Sequence, residues 1–123
     1  MSEKLEIKGD ERGNFMEVFK FPGIGQISYS TTKSGDVIRG NHYHTRKKEK
    51  FCVIEGEGLI RLRNRETNEI KEYKVSGDSP EIVEMLIGWT HNIKNVGDKE
   101  MKLLIWANEV FNPEDPDTFT EQV

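Results

Sequence analysis

The decapeptide Gly40-Asn-His-Tyr-His-Thr-Arg-Lys-Lys-Glu49 holds two of the chain's three histidines, and a glutamate follows the second by five positions. In a β-strand, residues i and i+2 point to the same face. His42 and His44 therefore project side by side, with Tyr43 on the opposite face. Glu49 rejoins them through a short turn, Thr45 to Lys48. The third histidine stands downstream in Leu86-Ile-Gly-Trp-Thr-His91-Asn92. If the fold brings His91 back to the pair, three imidazole nitrogens and one carboxylate form a site for one divalent metal ion. Zinc, iron, manganese and nickel all accept such ligands, and ligand type alone does not choose among them. A His-x-His pair by itself is a weak signal.

The surrounding sequence reads as strands and turns. Leu5 and Ile7 alternate in a polar N-terminal arm. Gly13 makes a turn, and Phe15, Glu17 and Phe19 are expected to share one face of the strand that follows. Strands are expected over Gln26–Thr32, Val37–His44, Glu49–Ile54, Leu59–Arg63, Ile70–Val75, Glu81–Leu86, Asn92–Val96 and Met101–Asn108. Gly- and Asn-bearing turns separate them. Asn112 to Val123, with Pro113 and Pro116, reads as an irregular tail. About ten short strands without helical periodicity point to an all-β barrel or sandwich with one ligand held inside. Trp106 is expected in the core, and Cys52, between Phe51 and Val53, as a buried inert thiol.

Composition narrows the function. The 123 residues suit a single domain, 1–123, with one core. No apolar run of about 20 residues spans a membrane, and Met1-Ser-Glu-Lys opens no signal peptide. One cysteine forms no internal disulfide, which fits a reducing, cytoplasmic setting. A net charge of -4 with interspersed signs argues against a nucleic-acid surface. The run Arg46-Lys47-Lys48 reads as a solvated turn.

Two longer patterns identify relatives. His42, His44, Glu49 and Gly56, followed by Gly88, His91 and Asn95, resemble the two motifs of the cupin superfamily. That resemblance implies a double-stranded β-helix, or jelly-roll barrel, with the three histidines and Glu49 as metal ligands. Gly35 lies one residue further from His42 than the pattern asks, and Leu86 stands where cupins usually have proline. Neither departure removes a ligand. The pair Asp10-x-Arg12-Gly13-x-Phe15-x-Glu17 and Val37-Ile-Arg39-Gly40-x-His42-Tyr43 resembles the dTDP-4-dehydrorhamnose 3,5-epimerase type, in which the matching histidine is a base and no metal is needed.

A further match is more extensive. Arg39-Gly-Asn-His42-Tyr-His44, Glu49-Lys-Phe, Tyr73-x-Val-Ser-Gly77, Gly88-x-Thr-His91-Asn92-Ile and Trp106-x-Asn108-Glu109-x-Phe111-x-Pro113-x-x-Pro116-Asp117-Thr118 resemble the C-terminal cupin domains of capsular polysaccharide synthesis proteins of the CapF family. That resemblance covers nearly the whole chain. It implies a zinc-dependent C3 epimerase acting on a UDP-linked 2-acetamido-2,6-dideoxy-4-ketohexose, or another nucleotide sugar, in surface polysaccharide synthesis. It implies a homodimer too, as cupins often form. The family's short-chain reductase domain has no room in this chain, so a separate reductase is expected in the pathway. Arg12 and Arg39 become diphosphate ligands, since guanidinium matches phosphate oxygens; Glu17 and Trp89 join them on the substrate side. Lys50 and Tyr29 are the candidate catalytic groups. A non-catalytic sugar- or metal-binding cupin and an iron dioxygenase on the same barrel are the alternatives.

Overall fold

A computed structural model describes residues 1–123 as eleven strands and no helix. They are β1 (Lys8–Asp10), β2 (Gly13–Phe21), β3 (Gly25–Thr32), β4 (Ile38–Tyr43), β5 (Glu49–Glu55), β6 (Glu57–Asn64), β7 (Ile70–Ser76), β8 (Val83–Met85), β9 (Trp89–Asn95), β10 (Met101–Ala107) and β11 (Phe119–Thr120). One sheet runs β1-β2-β3-β10-β5-β8 and the other β11-β4-β9-β6-β7, with every strand pair antiparallel. No helix is long and apolar enough to cross a membrane.

Alternation explains the core. In β6, Gly58, Ile60 and Leu62 are buried while the residues between them are not. In β10, Met101 and Leu103 turn inward and Leu104 outward. Phe51, Val53, Val75, Val83, Met85 and Ile93 complete a continuous apolar cluster with them. Fully burying one such side chain is worth about 1.5–3 kcal/mol. The inner face of β3 departs from this pattern: it carries Gln26, Ser28 and Ser30. Small polar groups there leave the barrel hollow above the core, and Phe51, Ile93 and Leu103 floor that hollow.

Two β-bulges set which side chains look in. β2 slips register between Glu17 and Phe19, so Phe15 and Glu17 oppose Ser30 and Ser28 while Phe19 opposes Ile27. The shared face expected of Phe15, Glu17 and Phe19 ends at this bulge, and Phe19 is solvent-exposed. β4 slips between Gly40 and His42. The C-terminal tail is irregular up to Thr118, then adds β11 to the edge of β4, pairing Phe119 with Tyr43 and Thr120 with His42. Trp106 lies on the outer face at 36% exposure rather than in the core, because its inward neighbours are Ile105 and Ala107. Cys52, opposite Leu104 on that same outer face, is only half-buried.

Candidate metal centre and substrate cavity

The three histidines and Glu49 converge. One ligand atom from each lies within 4.8 Å of all the others. Ring centroids are 5.1 Å apart for His42 and His44, 4.7 Å for His42 and His91, and 5.3 Å for His44 and His91. Strand pairing delivers this: His42 of β4 is registered against His91 at the centre of β9. His42 and His44 share a face as their spacing requires, while Tyr43 turns outward and stacks on Phe119 at 5.2 Å.

Protonation and hydrogen bonding fit a cation. Burial pushes His42 down to about 4 against the opposing pull of Glu49, and burial with repulsion from His42 pushes His91 down to about 3, so both rings are neutral ligands at pH 7. Burial alone would raise the Glu49 carboxyl; the His44 hydrogen bond and nearby positive charge reverse that and keep it ionised. His44 Nδ1 lies 2.7 Å from the Asp117 carbonyl and Nε2 lies 2.6 Å from Glu49 Oε1. A carbonyl only accepts, so Nδ1 carries the proton. The short contact between Nε2 and Glu49 Oε1 is a place where a cation shared by the two would replace the proton between them. His91 buries both ring nitrogens without a hydrogen-bond partner, a costly arrangement that a metal at one nitrogen relieves. The donor set of three imidazoles and a carboxylate suits a divalent transition metal.

The centre opens into the hollow of the barrel, a cavity of about 350 Å³ whose wall includes Arg12, Arg39, His42, His44, Lys47 and Glu49. A second lobe of about 190 Å³ continues past Lys47 and Glu49 to Glu17, Gln26, Ser28 and Phe111. Arg39 and His42 are three residues apart, which simple alternation would put on opposite faces. The bulge inserts one residue and returns both to the cavity. It depends on Gly40 at φ 98° and Asn41 at φ 60°. A Cβ on Gly40 would sit 3.1 Å from the His91 carbonyl oxygen.

The two arginines differ. Arg12 is bound to Asp10 at 2.7 Å, and its hydrogen bonds hold that carboxyl at about 2. Arg39 is half-buried and donates only to the Thr31 carbonyl, at 3.1 Å. Burial, then repulsion from Arg12, lowers its guanidinium from the ordinary value. Glu17 pairs with Lys8 at 3.7 Å rather than with Arg12.

The expected catalytic pair is not brought in. Glu49 points inward, so its neighbour Lys50 points outward, with Nζ 5.7 Å from the Trp106 ring. Ser28 and Ser30 point inward, so Tyr29 between them lies on the outer face opposite Leu104. Trp89 packs against the core beneath Lys71, 5.1 Å from its ring, and does not line the cavity. Lys47, read from the sequence as part of a solvated turn, is buried at the cavity wall instead. Asp117 was also missed: its carboxylate accepts from the backbone N–H of Thr45, Arg46 and Lys47 and from the Thr45 hydroxyl. Its only signal in the sequence is the match of the Pro116-Asp117-Thr118 segment.

Comparison with known proteins places the chain. Residues 8–119 match the polysaccharide biosynthesis C-terminal domain family. UDP-2-acetamido-2,6-beta-L-arabino-hexul-4-ose reductase of Pseudomonas aeruginosa is 45% identical over 118 residues, 96% of this chain and 32% of that protein. The crystal structure of capsular polysaccharide assembling protein CapF from Staphylococcus aureus superposes with a TM-score of 0.94 at 45% identity, over 99% of this chain and 35% of that one. The chain thus spans about a third of the length of these two relatives. Oxalate decarboxylase of Lactobacillus farciminis shares the fold alone, with a TM-score of 0.71 at 16% identity over 85% of this chain and 31% of that one.

Proposed function

Since this chain belongs to the polysaccharide biosynthesis C-terminal domain family and has the cupin fold, we propose that it is a metal-dependent epimerase. It inverts C3 of a UDP-linked 2-acetamido-2,6-dideoxy-4-ketohexose in the cytoplasm, ahead of polysaccharide assembly. One observation carries this reading: the His42, His44, Glu49 and His91 cluster opens into a cavity whose wall also carries Arg39, a half-buried guanidinium without a carboxylate partner. A metal site alone serves many chemistries; a metal site beside a free arginine suits an anionic, oxygen-rich substrate. The Pseudomonas relative is named for a UDP-linked 4-ketohexose, which supplies the substrate class.

The C3 proton lies next to the C4 ketone and is acidified by it. Epimerisation breaks the C3–H bond, moves its electron pair toward the C4 oxygen, and returns a proton to C3 from the other face. A divalent ion held by the three histidines and Glu49, zinc in our reading, would supply electrophilic stabilisation of charge at that oxygen. The chain's own groups bind and orient. Arg39, with Arg12 behind it, meets the diphosphate. Phe15, Phe51, Leu103 and Ile105 supply the apolar part of the cavity wall. The Asp117 carbonyl fixes the tautomer and angle of the His44 ring.

The test is NMR of the UDP-linked 4-ketohexose with the protein in heavy water. Deuterium should enter C3 only when metal is present, and chelation should stop it. Metal-loaded protein that leaves C3 protonated would remove the epimerase reading, and a UDP titration would then identify a binding protein.

A further inference from the structure

The turn between His44 and Glu49 carries the molecule's one buried cation. Lys47 is 8% exposed, whereas Arg46 and Lys48 on either side are exposed. Taking an ammonium out of water costs several kcal/mol unless a counter-charge meets it. Arg46 has such partners in Glu109 and Asp115. Lys47 has no carboxylate within 4 Å. Its Nζ donates to the Pro116 carbonyl at 3.3 Å and the Thr118 hydroxyl at 3.2 Å, both neutral. An ammonium has three donors, so one remains.

The backbone that carries Lys47 is held firmly. The Lys47 N–H donates to the Asp117 carboxylate at 2.8 Å, and the same carboxylate fixes the two residues before it. The side chain borders both lobes of the cavity, with Glu49 beside it at their junction. Its charge is felt at the metal ligands, contributing to the lowering of His42 and of Glu49. A buried charge with neutral partners, a spare donor and an open wall lacks one component, an anionic oxygen.

We propose that Lys47 is the cavity's oxyanion-binding residue, its ammonium donating to a substrate oxygen that lies beside the metal ligands. The identity of that oxygen rests on the epimerase reading: it is the C4 oxygen, which gains charge as the C3–H bond breaks. Lys47 only donates a hydrogen bond and neither takes nor gives the C3 proton; that proton passes to solvent water and one returns from water on the opposite face, the exchange that the deuterium readout detects. A charge-assisted hydrogen bond strengthens as its acceptor becomes anionic, so Lys47 favours the enolate over the bound ketone.

Two readouts separate the inference from the reading beneath it. The first is calorimetry of the zinc-loaded protein with acetohydroxamate, a small planar oxyanion. Lys47→Met and Lys47→Gln should each keep one zinc per chain and bind the probe about tenfold or more weakly, the size of one charge-assisted bond. The second is C3 deuterium exchange, which should fall about a hundredfold in both variants while UDP affinity stays within about threefold. Probe affinity within twofold of wild type in either zinc-loaded variant overturns the inference. Loss of zinc in both variants overturns it too, because Lys47 would then serve only to hold the ligand turn. If the wild type exchanges no C3 proton but its probe binding depends on Lys47, the epimerase reading fails and the oxyanion site stands.

Discussion

His44 and His91 face the same point but are held there by different physics. His44 sits just past the end of β4 and is gripped from both sides, by the Asp117 carbonyl and by Glu49. His91 sits mid-strand in β9, between β4 and β6, and neither of its nitrogens has a partner. Packing aims it, with Phe51 edge-on at 5.7 Å, and the Glu49 carboxylate stands 3.6 Å from Nε2. Both rings are buried, but one half of the centre is preorganised by polar contacts and the other by packing. The polar half has its partners without a metal; the packed half has unpaired nitrogens that a metal would satisfy.

The largest effect should come from the packed half. His91→Ala should lower zinc affinity about a hundredfold or more, since it removes a direct ligand rather than a supporting group. Zinc retained at full stoichiometry after gel filtration would refute the four-ligand centre. Metal should also stabilise the wild type by about 2.7 kcal/mol at 100 times its dissociation constant, an increment the variant should lose in thermal unfolding. Acid should act on the same half. In the metal-free protein His42 and His91 titrate at about 4 and about 3, against about 6.5 in the unfolded chain. The unfolded chain therefore binds protons first. Stability is complete above about pH 6.5 and is lost as pH falls toward 4. Unfolding of chelated protein that does not change between pH 7 and 4.5 would contradict this.

The polar half should respond next, through the tail. Asp117→Ala leaves every ligand in place but removes the carboxylate that holds Thr45, Arg46 and Lys47, and with it the fixed position of the carbonyl on His44. Zinc affinity should fall about 10- to 100-fold, the usual range for outer-shell partners. Asp117 has φ 48°, a conformation that asparagine tolerates, so Asp117→Asn should lose less. Equal zinc binding by wild type and Asp117→Ala would make the tail irrelevant to the centre. The arginines extend the contrast to the substrate end. Arg39→Ala should weaken UDP binding about tenfold with zinc unchanged, and Arg12→Ala only about threefold, because Asp10 already occupies the Arg12 guanidinium. A calorimetric titration in which Arg12 matters more would reverse their roles.

The same contrast marks what the sequence reveals. His42, His44, Glu49 and His91 are readable because period-two alternation and motif spacing depend on residue type and count. Arg39 needs a bulge to face the same way as His42. Its glycine and asparagine stand in plain view, but a one-residue insertion has no periodic signature. Phe19 fails for the same reason at the bulge after Glu17. Lys47 and Asp117 are 70 residues apart, and only the folded tail makes one a buried cation and the other a cap. Runs of basic residues are normally solvated, so composition argued against Lys47. Trp106 misleads in the opposite sense: a large aromatic belongs inside on average, yet alternation from Ile105 puts it outside.

The smallest effect tests alternation itself. Lys50 and Tyr29 have the chemistry of a base and an acid, and Lys50 adjoins a metal ligand in sequence. Yet along β5 the inward residues are Glu49, Phe51 and Val53, and along β3 they are Gln26, Ser28 and Ser30. A one-residue offset in a strand separates side chains by the full thickness of the sheet. Lys50→Ala and Tyr29→Phe should therefore leave C3 exchange and zinc binding within about twofold, as surface substitutions do. Lys47→Met, three positions from Lys50, should abolish most of the exchange. Were Lys50→Ala the more damaging change, β5 would have to be shifted by one residue. Glu49 would then leave the metal and Phe51 the core, so the loss of activity would come with a loss of both zinc and stability.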